Sequence, residues 1–365
     1  MNGKIDALIY GLSVYGVPLV IGVVTLIALA AWERQYRVGD AVPLEVSVIE
    51  ESGAALDPAQ ALARLEDRPA VAHRDTHLSE SPFWFLFVAR PTGNAGQTDI
   101  ELPSRHATKA ACWTALTLAS LGRADRLAST GRMTTVKAGF KIDLGSIDSA
   151  VPVVCRATFA GPARISVLLW PSAQLHASSE QFHRDTGLLE GGLLVLSAFV
   201  LVTAIINSEW LYVLFAAWLL ASLRLGALSA GWDTQWFGRA IPPDWIFPAR
   251  KLTIAAYYFL TYALFSRLFR DDLRRVGFAA LLGVAQWSCA ALLAAAVILP
   301  FSGFLPFMWA AVALGIAMIV FLLARILLLA PSRVAIWYSA SLAVTLLAGV
   351  YEVIGEGDAK RFQIN

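Results

Sequence analysis

The stretch Pro300-Phe-Ser-Gly-Phe-Leu-Pro306 lies in the middle of an uncharged segment that runs from Val276 to Ala324. As one helix this segment would be about 73 Å long, more than twice the roughly 30 Å hydrocarbon core of a bilayer. The segment must therefore fold back on itself. Two prolines and a glycine suit a tight hairpin, so the sequence predicts membrane spans near 277–299 and 305–328.

Further apolar runs lie on both sides of this hairpin. They predict spans near 188–207, 210–231, 252–269 and 334–354. Gly11 to Trp32 is also uncharged and predicts a first span, at 11–32. That span is a cleaved signal segment or a retained anchor, and its length favours the anchor. With 57% hydrophobic and 15% charged residues, the whole composition is typical of a membrane protein.

The positions of Lys and Arg in short loops predict the orientation. Arginines crowd the loop after span 252–269 and flank the loop after span 305–328, so that side is expected to face the cytoplasm. Those arginines are Arg267, Arg270, Arg274, Arg275, Arg325 and Arg333. Residues 1–10 are then cytoplasmic, residues 33–187 form a periplasmic domain, and residues 188–354 form the helical bundle. The tail 355–365 lies on the outer side, and we expect it to lead to a seventh bundle span outside this sequence.

The periplasmic domain is predicted to be β-rich, because short β-branched and aromatic segments alternate with Gly, Pro and Asp. Seven strands are expected, a number typical of a β-sandwich or jelly roll. They are Val42–Ile49, Phe83–Arg90, Thr98–Leu102, Ala110–Leu118, Val136–Leu144, Pro152–Thr158 and Arg164–Trp170. One helix is expected after Asp57, with Pro58 at its first position and Leu62 and Leu65 on one face. Cys112 and Cys155 lie in two of the strands and are either a disulfide or two buried thiols.

Several stretches of this domain resemble the jelly-roll sensor of bacterial seven-transmembrane receptors with diverse intracellular signalling modules. They are Thr98–Pro103, Ala110–Leu116, Phe140–Leu144, Val154–Thr158 and Ile165–Pro171. In the membrane part, Glu209–Leu214 and the outer loop Trp232–Gly238 with Pro243-Asp-Trp245 are similar to the membrane module of that family. The resemblance covers most of residues 40–354 and rests on diffuse patterns.

The resemblance implies a sensory receptor. Its periplasmic domain would bind a small, carbohydrate-like ligand, and its bundle would signal to a cytoplasmic effector for cyclic-di-GMP turnover or to a kinase. This chain departs from the family because it contains no output domain, so the effector would lie in a longer protein or in a partner chain. A homodimer is also expected from the family. The alternative function is a transporter or envelope-assembly subunit whose periplasmic domain docks a partner protein.

Candidate ligand-binding residues are aromatic, guanidinium and imidazole side chains around the predicted sandwich, which suit sugars or carboxylates. They are Trp84, Arg105, His106, Arg123, Arg126 and Arg132. They could equally form a solvated surface.

Charged residues within the predicted spans are candidates for a polar switch, because a charge inside a membrane is costly. Arg224 could pair with Glu190 or Glu352, or its side chain could reach the headgroups instead. Trp232, Trp236 and Trp245 in the outer loop are either interface anchors or a lid over a ligand.

Other functions are not indicated. The sequence contains no phosphate loop, no nucleophile elbow and no paired metal motif, so we expect no catalysis, no cofactor and no metal within these residues. The net charge of +2, from 29 basic and 27 acidic residues, gives no reason to expect nucleic-acid binding.

Overall fold

A computed structural model describes residues 41–91, 97–231, 235–236, 239–242, 245–277, 279–329 and 334–343, with three isolated positions before residue 41. An N-terminal domain of antiparallel sheets is followed by helices. The chain divides into two compact units. One contains Gly39–Leu264 and Trp287–Val312, and the other includes Phe265–Gln286 and the described residues after Ala313. The predicted first span, at 11–32, lies outside the described ranges.

Within the described ranges, the β-domain contains two large sheets. The six-stranded sheet has the order β2 (Ser47–Glu50), β4 (Phe83–Ala89), β11 (Val151–Phe159), β6 (Ala107–Thr114), β7 (Ser120–Asp125) and β8 (Ser129–Gly131). The five-stranded sheet has the order β1 (Val42–Leu44), β13 (Val167–Pro171), β5 (Gln97–Leu102), β10 (Gly139–Ser146) and β9 (Met133–Val136). A small sheet pairs β3 (Arg74–Asp75) with β12 (Arg164–Ile165).

The two large sheets share one hydrophobic core. Phe85 and Phe87 of β4 lie in the same buried cluster as Ile100 of β5 and Phe140 and Ile142 of β10. In each of these strands the residues that belong to this core alternate, because successive side chains of a strand point to opposite faces of its sheet. Each sheet is therefore left with an outer face that does not belong to this core.

Several of these elements were predicted from local sequence signals. Helix α1 (Pro58–Glu66) confirms the predicted helix: Asp57 accepts a hydrogen bond from Gln60 N–H, the Gln60 side chain bonds back, and Leu65 is buried. Three predicted strands are each interrupted, one of them by a turn at Lys137-Ala138, where Lys137 has a φ of 46°. The other two are the predicted strands 42–49 and 164–170.

Helices follow the β-domain. They are α2 (Ser172–Asn207), α3 (Trp210–Ser229), α4 (Ile246–Leu268), α5 (Arg270–Val276), α6 (Ala279–Ile298), α7 (Phe301–Leu329) and α8 (Val334–Ala343). A two-stranded sheet, β14 (Gln235–Trp236) with β15 (Arg239–Ala240), lies between α3 and α4. Helices α2, α3 and α7 are long and apolar enough to cross a membrane. Each of the six predicted spans after the β-domain contains described helix, and residues 344–354 of the last one lie outside the described ranges.

The hairpin between α6 and α7 is tighter than the sequence predicts. The chain leaves helical structure only at Leu299-Pro300, and α7 already begins at Phe301 with Pro306 inside it. A proline so close to a helix start is tolerated, because the first four N–H groups of a helix have no partner within the helix and Pro306 removes only one hydrogen bond after them.

Helix α2 begins at Ser172, well before the predicted span at 188–207. Pro171, the last residue of β13, is also the N-cap of α2, so strand and helix are joined without a linker. The sequence hides this start because residues 172–187 are polar. Their helix is held by packing: Leu175 is buried with Val136 and Trp170 on the outer face of the five-stranded sheet.

Candidate functional site

A groove of about 400 Å³ lies on the outer face of the six-stranded sheet. Its floor is Ala111 of β6, which stands in register between Arg156 of β11 and Arg123 of β7. Lys109 and Trp113 lie two residues before and after Ala111 and therefore on the same face. A small residue surrounded by four long side chains explains the concave shape.

Helix α1 covers the neighbouring part of the same face. Ala61 and Leu65 of α1 pack on Trp84 and Val154, so this part of the sheet is closed to solvent. Trp84 is 1% exposed and stacks on Trp113, with ring centroids 5.5 Å apart. The groove therefore begins where the cover of α1 ends, with Trp113 at the border.

Arg156 is held in place by a buried carboxylate. Its Nη2 donates to Glu51 Oε1 at 2.7 Å and its Nε donates to Oε2 at 3.1 Å, while Trp84 Nε1 donates to Oε2 at 2.7 Å. The hydrogen bonds from Arg156, with those from Trp84 and Leu56 N–H, hold the pKa of Glu51 below its ordinary value although burial acts in the opposite direction. Because two nitrogens of the guanidinium are bound in parallel, its orientation is fixed and its remaining N–H groups stay available.

The other two cations of the groove have no such partner. Within the described part of the chain, no carboxylate lies within ion-pair distance of the exposed side chains of Lys109 and Arg123. Asp125 lies opposite Lys109 in register, but its Oδ1 accepts from the N–H groups of Leu127 and Ala128, each at 2.8 Å. Three cations and one carboxylate therefore line the groove, next to the hydroxyls of two threonines, Thr130 and Thr158.

A disulfide lies beneath the floor of the groove. Cys112 of β6 and Cys155 of β11 are opposite each other in register, belong to the shared core and are joined by a bond. Of the two states that the sequence left open, the structure contains the disulfide. It links the strands that carry Lys109, Trp113 and Arg156.

Of the six candidate ligand residues, the structure places Arg123 in the groove. Trp84 is buried under α1. Arg126 donates from Nε to Ala107 C=O at 2.8 Å and from Nη2 to the carbonyls of Ser104 and Arg105, so it organises a loop. His106 Nδ1 forms a hydrogen bond with Ala160 C=O at 2.9 Å, and Arg105 donates a hydrogen bond from Nε to His106 Nε2 at 3.3 Å. Arg132 is exposed between β8 and β9.

The predictions did not include Lys109, Trp113 or Arg156. A signal for them exists, because Lys109, Ala111 and Trp113 alternate along one predicted strand, and Arg156 and Thr158 alternate along another. Alternation places such residues on the outer face, and only the register of β6 against β11 and β7 shows that they meet.

Another part of the β-domain contacts the hairpin between α6 and α7. Glu80 Oε1 accepts a hydrogen bond from Ser302 N–H in the first turn of α7 at 3.0 Å. Lys251 of α4 donates from Nζ to Leu299 C=O at 2.6 Å. A carboxylate at a helix N-terminus and an ammonium at a helix C-terminus both have the sign that the helix dipole favours. The hairpin is therefore held by one residue of the β-domain and one residue of a helix.

A second contact joins the β-domain to the end of α3. A Cβ atom at Gly231 would lie 3.0 Å from Ala138 Cα and 3.1 Å from Arg126 Nη1, and Gly231 has a φ of +78°. Glycine is therefore required here by both the backbone conformation and the close approach.

The predicted switch residues are only partly described. Arg224 of α3 is 7% exposed, and its positive charge acts on the Glu190 carboxylate of α2. One oxygen of Glu190 is buried without a hydrogen-bond partner among the described residues. Glu352 lies outside the described ranges, and so the predicted pairing of Arg224 with Glu352 stays a prediction.

The three predicted outer-loop tryptophans are also incompletely described. Trp245 is 59% exposed, and Trp236 belongs to β14. Trp232 falls outside the described ranges.

No protein-family model matches the chain, and no curated protein matches it. Among the described residues, no group of three or more His, Cys, Asp or Glu side chains could hold a metal ion. The resemblance to the seven-transmembrane receptors therefore stays a prediction.

Proposed function

We propose that this chain is a multi-pass receptor of the bacterial inner membrane. Its β-domain, a periplasmic sandwich of the jelly-roll type, binds a small molecule and changes its packing on the helices. The helices then bias a cytoplasmic effector outside this chain, of the cyclic-di-GMP or kinase type. The predicted resemblance supports the class of protein, and the contacts of the β-domain with the helices support the route of the signal.

The observation that carries the proposal is the direct junction of β13 with α2. A flexible linker would let a sensor domain move without moving the membrane part, whereas Pro171 ends the strand and caps the helix at once. The bond from Ser302 N–H to Glu80 and the close approach of Ala138 to Gly231 provide two more points of contact. A change in the β-domain is thus transmitted to α2, α3 and α7.

Ligand binding can shift the helices only if it favours one of their arrangements over another. The test uses the full chain in lipid nanodiscs and a broad panel of small metabolites, first screened by thermal shift. For each compound that stabilises the protein, hydrogen–deuterium exchange is then measured in Ser172–Asn207 and Phe301–Leu329. We expect exchange in these helices to change together with exchange in the β-domain.

Glu80→Gln serves as the variant that weakens the route. It removes the charge at the start of α7 but leaves the groove untouched, so the ligand should bind with unchanged affinity while the response of Phe301–Leu329 becomes smaller. The exposed Glu66→Gln is the matched control and should respond as the original chain does. Ligand binding without any change in the helices would contradict the proposal.

A further inference from the structure

We infer that the groove on the six-stranded sheet binds a small organic anion that carries at least two carboxylates. The inference deepens the proposed function, on which it rests, by naming the class of the ligand. It departs from the carbohydrate-like ligand that the family resemblance implies.

The charged side chains of the groove favour a ligand with two carboxylates. Arg156 and Arg123 start from positions two strands apart, about 10 Å at the usual spacing of strands, with only the methyl group of Ala111 between them. Lys109 approaches the same space from the next outward position of β6. The groove therefore holds three cations against the single carboxylate of Asp125, with Glu51 bound to Arg156, and its lining keeps a positive charge that attracts an anion. The separation of Arg156 from Arg123 and Lys109 provides one place for each of two carboxylates.

The guanidinium of Arg156 is held in one orientation. Glu51 binds its Nε and Nη2 from behind, which fixes the plane of the guanidinium before any ligand arrives. A fixed fork loses little side-chain freedom on binding a carboxylate in a bidentate manner. Arg123 and Lys109 remain solvated and can adapt to the second carboxylate.

Trp113 provides a surface for the organic part of the ligand. Trp113 borders the groove and is kept in place by its stacking on Trp84. Its partly exposed ring offers an apolar surface to a carbon chain. Backbone N–H groups of β6 are used in pairing with β7 and β11, so recognition falls to the side chains.

The experiment measures binding to the full chain in zwitterionic nanodiscs by isothermal titration calorimetry. The probes are succinate and citrate, the neutral isostere succinamide, the monoanion butyrate, and inorganic phosphate. We expect succinate or citrate to bind, and to bind at least tenfold more tightly than succinamide and butyrate. Equal binding of succinamide, or binding of inorganic phosphate as tight as that of the carboxylates, would overturn the inference, and so would the absence of carboxylate binding.

Variants show whether the binding occurs in the groove. Arg123→Gln should weaken succinate or citrate at least tenfold, and Lys109→Gln should weaken it by a smaller factor. Both side chains are exposed, so neither variant should change the thermal midpoint of the protein. Arg90→Gln removes the same charge from an exposed position next to β4 and outside the groove, and it should bind as the original chain does. Unchanged binding by Arg123→Gln would contradict the inference.

The same samples separate this inference from the proposed function. If the carboxylates bind through Arg123 but exchange in Ser172–Asn207 and Phe301–Leu329 does not change, the ligand class stands and the receptor proposal fails. If only a compound of another class binds and changes exchange in those helices, the receptor proposal stands and the ligand class is wrong.

Discussion

The outer faces of the two large sheets differ in whether their charged residues are buried in ion pairs or exposed to solvent. On the five-stranded sheet, Asp99 and Glu101 are buried, and each has a lysine within 3.3 Å: Lys141 for Asp99 and Lys137 for Glu101. The first turns of α2 pack on this face. On the six-stranded sheet, Lys109 and Arg123 are exposed, and neither forms an ion pair with a carboxylate of the described residues.

The difference shows which face is committed to internal contacts and which is available. Removing the partner of a buried carboxylate is costly, so the charges of the five-stranded sheet are committed to each other. Exposed cations contribute little to folding and can be kept for a ligand. The same β-domain thus has one face packed on a helix and one open face, on which we infer that the ligand binds.

The largest effect is expected from removing the bond that joins β6 to β11 under the groove. Cys112→Ala with Cys155→Ala opens a loop of sequence separation 43, and the loss of chain-entropy stabilisation is at most about 4 kcal/mol. Chemical unfolding followed by near-UV circular dichroism measures it. Hydrogen exchange should rise more in β6 and β11 than in β5 and β10. Cys289→Ala is the control, and equal unfolding midpoints with and without the bond would show that it does not contribute.

A pair of matched substitutions tests the two faces directly. Lys137→Gln leaves the buried Glu101 without its cation and should cost about 2 kcal/mol, because Lys137 is itself partly exposed. Lys109→Gln on the open face should change the free energy of unfolding by less than about 0.5 kcal/mol. Both are measured by the same unfolding experiment. Similar costs for the two variants would remove the distinction between the faces.

The smallest effect is the acid dependence contributed by Glu51. The bonds from Arg156 lower the pKa of this carboxyl in the folded chain. Its ionised form therefore stabilises the fold above the unfolded value of about 4.5, and this stability is lost as the pH falls from there through the lower folded value. Glu51→Gln should flatten the dependence of unfolding free energy on pH below about 4.5, relative to Glu66→Gln. An unchanged slope would mean that Glu51 is not held by Arg156 in solution.

Local signals in the sequence predicted the elements that depend on local chemistry. Asp57 and Pro58 mark the start of a helix by their own side chains, and the uncharged run from Val276 to Ala324 requires two helices by its length alone. Strand β7, Ser120–Asp125, was missed because it contains a glycine and two charges, and only its pairing with β6 makes it a strand. The polar start of α2 was missed for the same reason, since its packing on Trp170 comes from residues distant in the β-domain.

The groove was harder to predict than the fold. Arg123, Trp84 and Arg126 are candidates of equal standing in the sequence, yet Arg123 lines the groove, Trp84 is buried under α1 and Arg126 is bound to carbonyl groups. What separates them is the register of the strands and the position of α1, and neither is encoded near the residues themselves. A pattern of alternating positions could have named Lys109 and Trp113, but not their proximity to Arg156.

Helix α2 has a mechanical consequence that follows from its length. Its 36 residues extend for about 54 Å, while its start is fixed to the strand that ends at Pro171. If the helix stays straight, a tilt of about 5° at Ser172 displaces Asn207 by roughly 5 Å. A small rearrangement of the β-domain that tilts α2 would thereby move the far end of the helix by nearly the length of one helical turn.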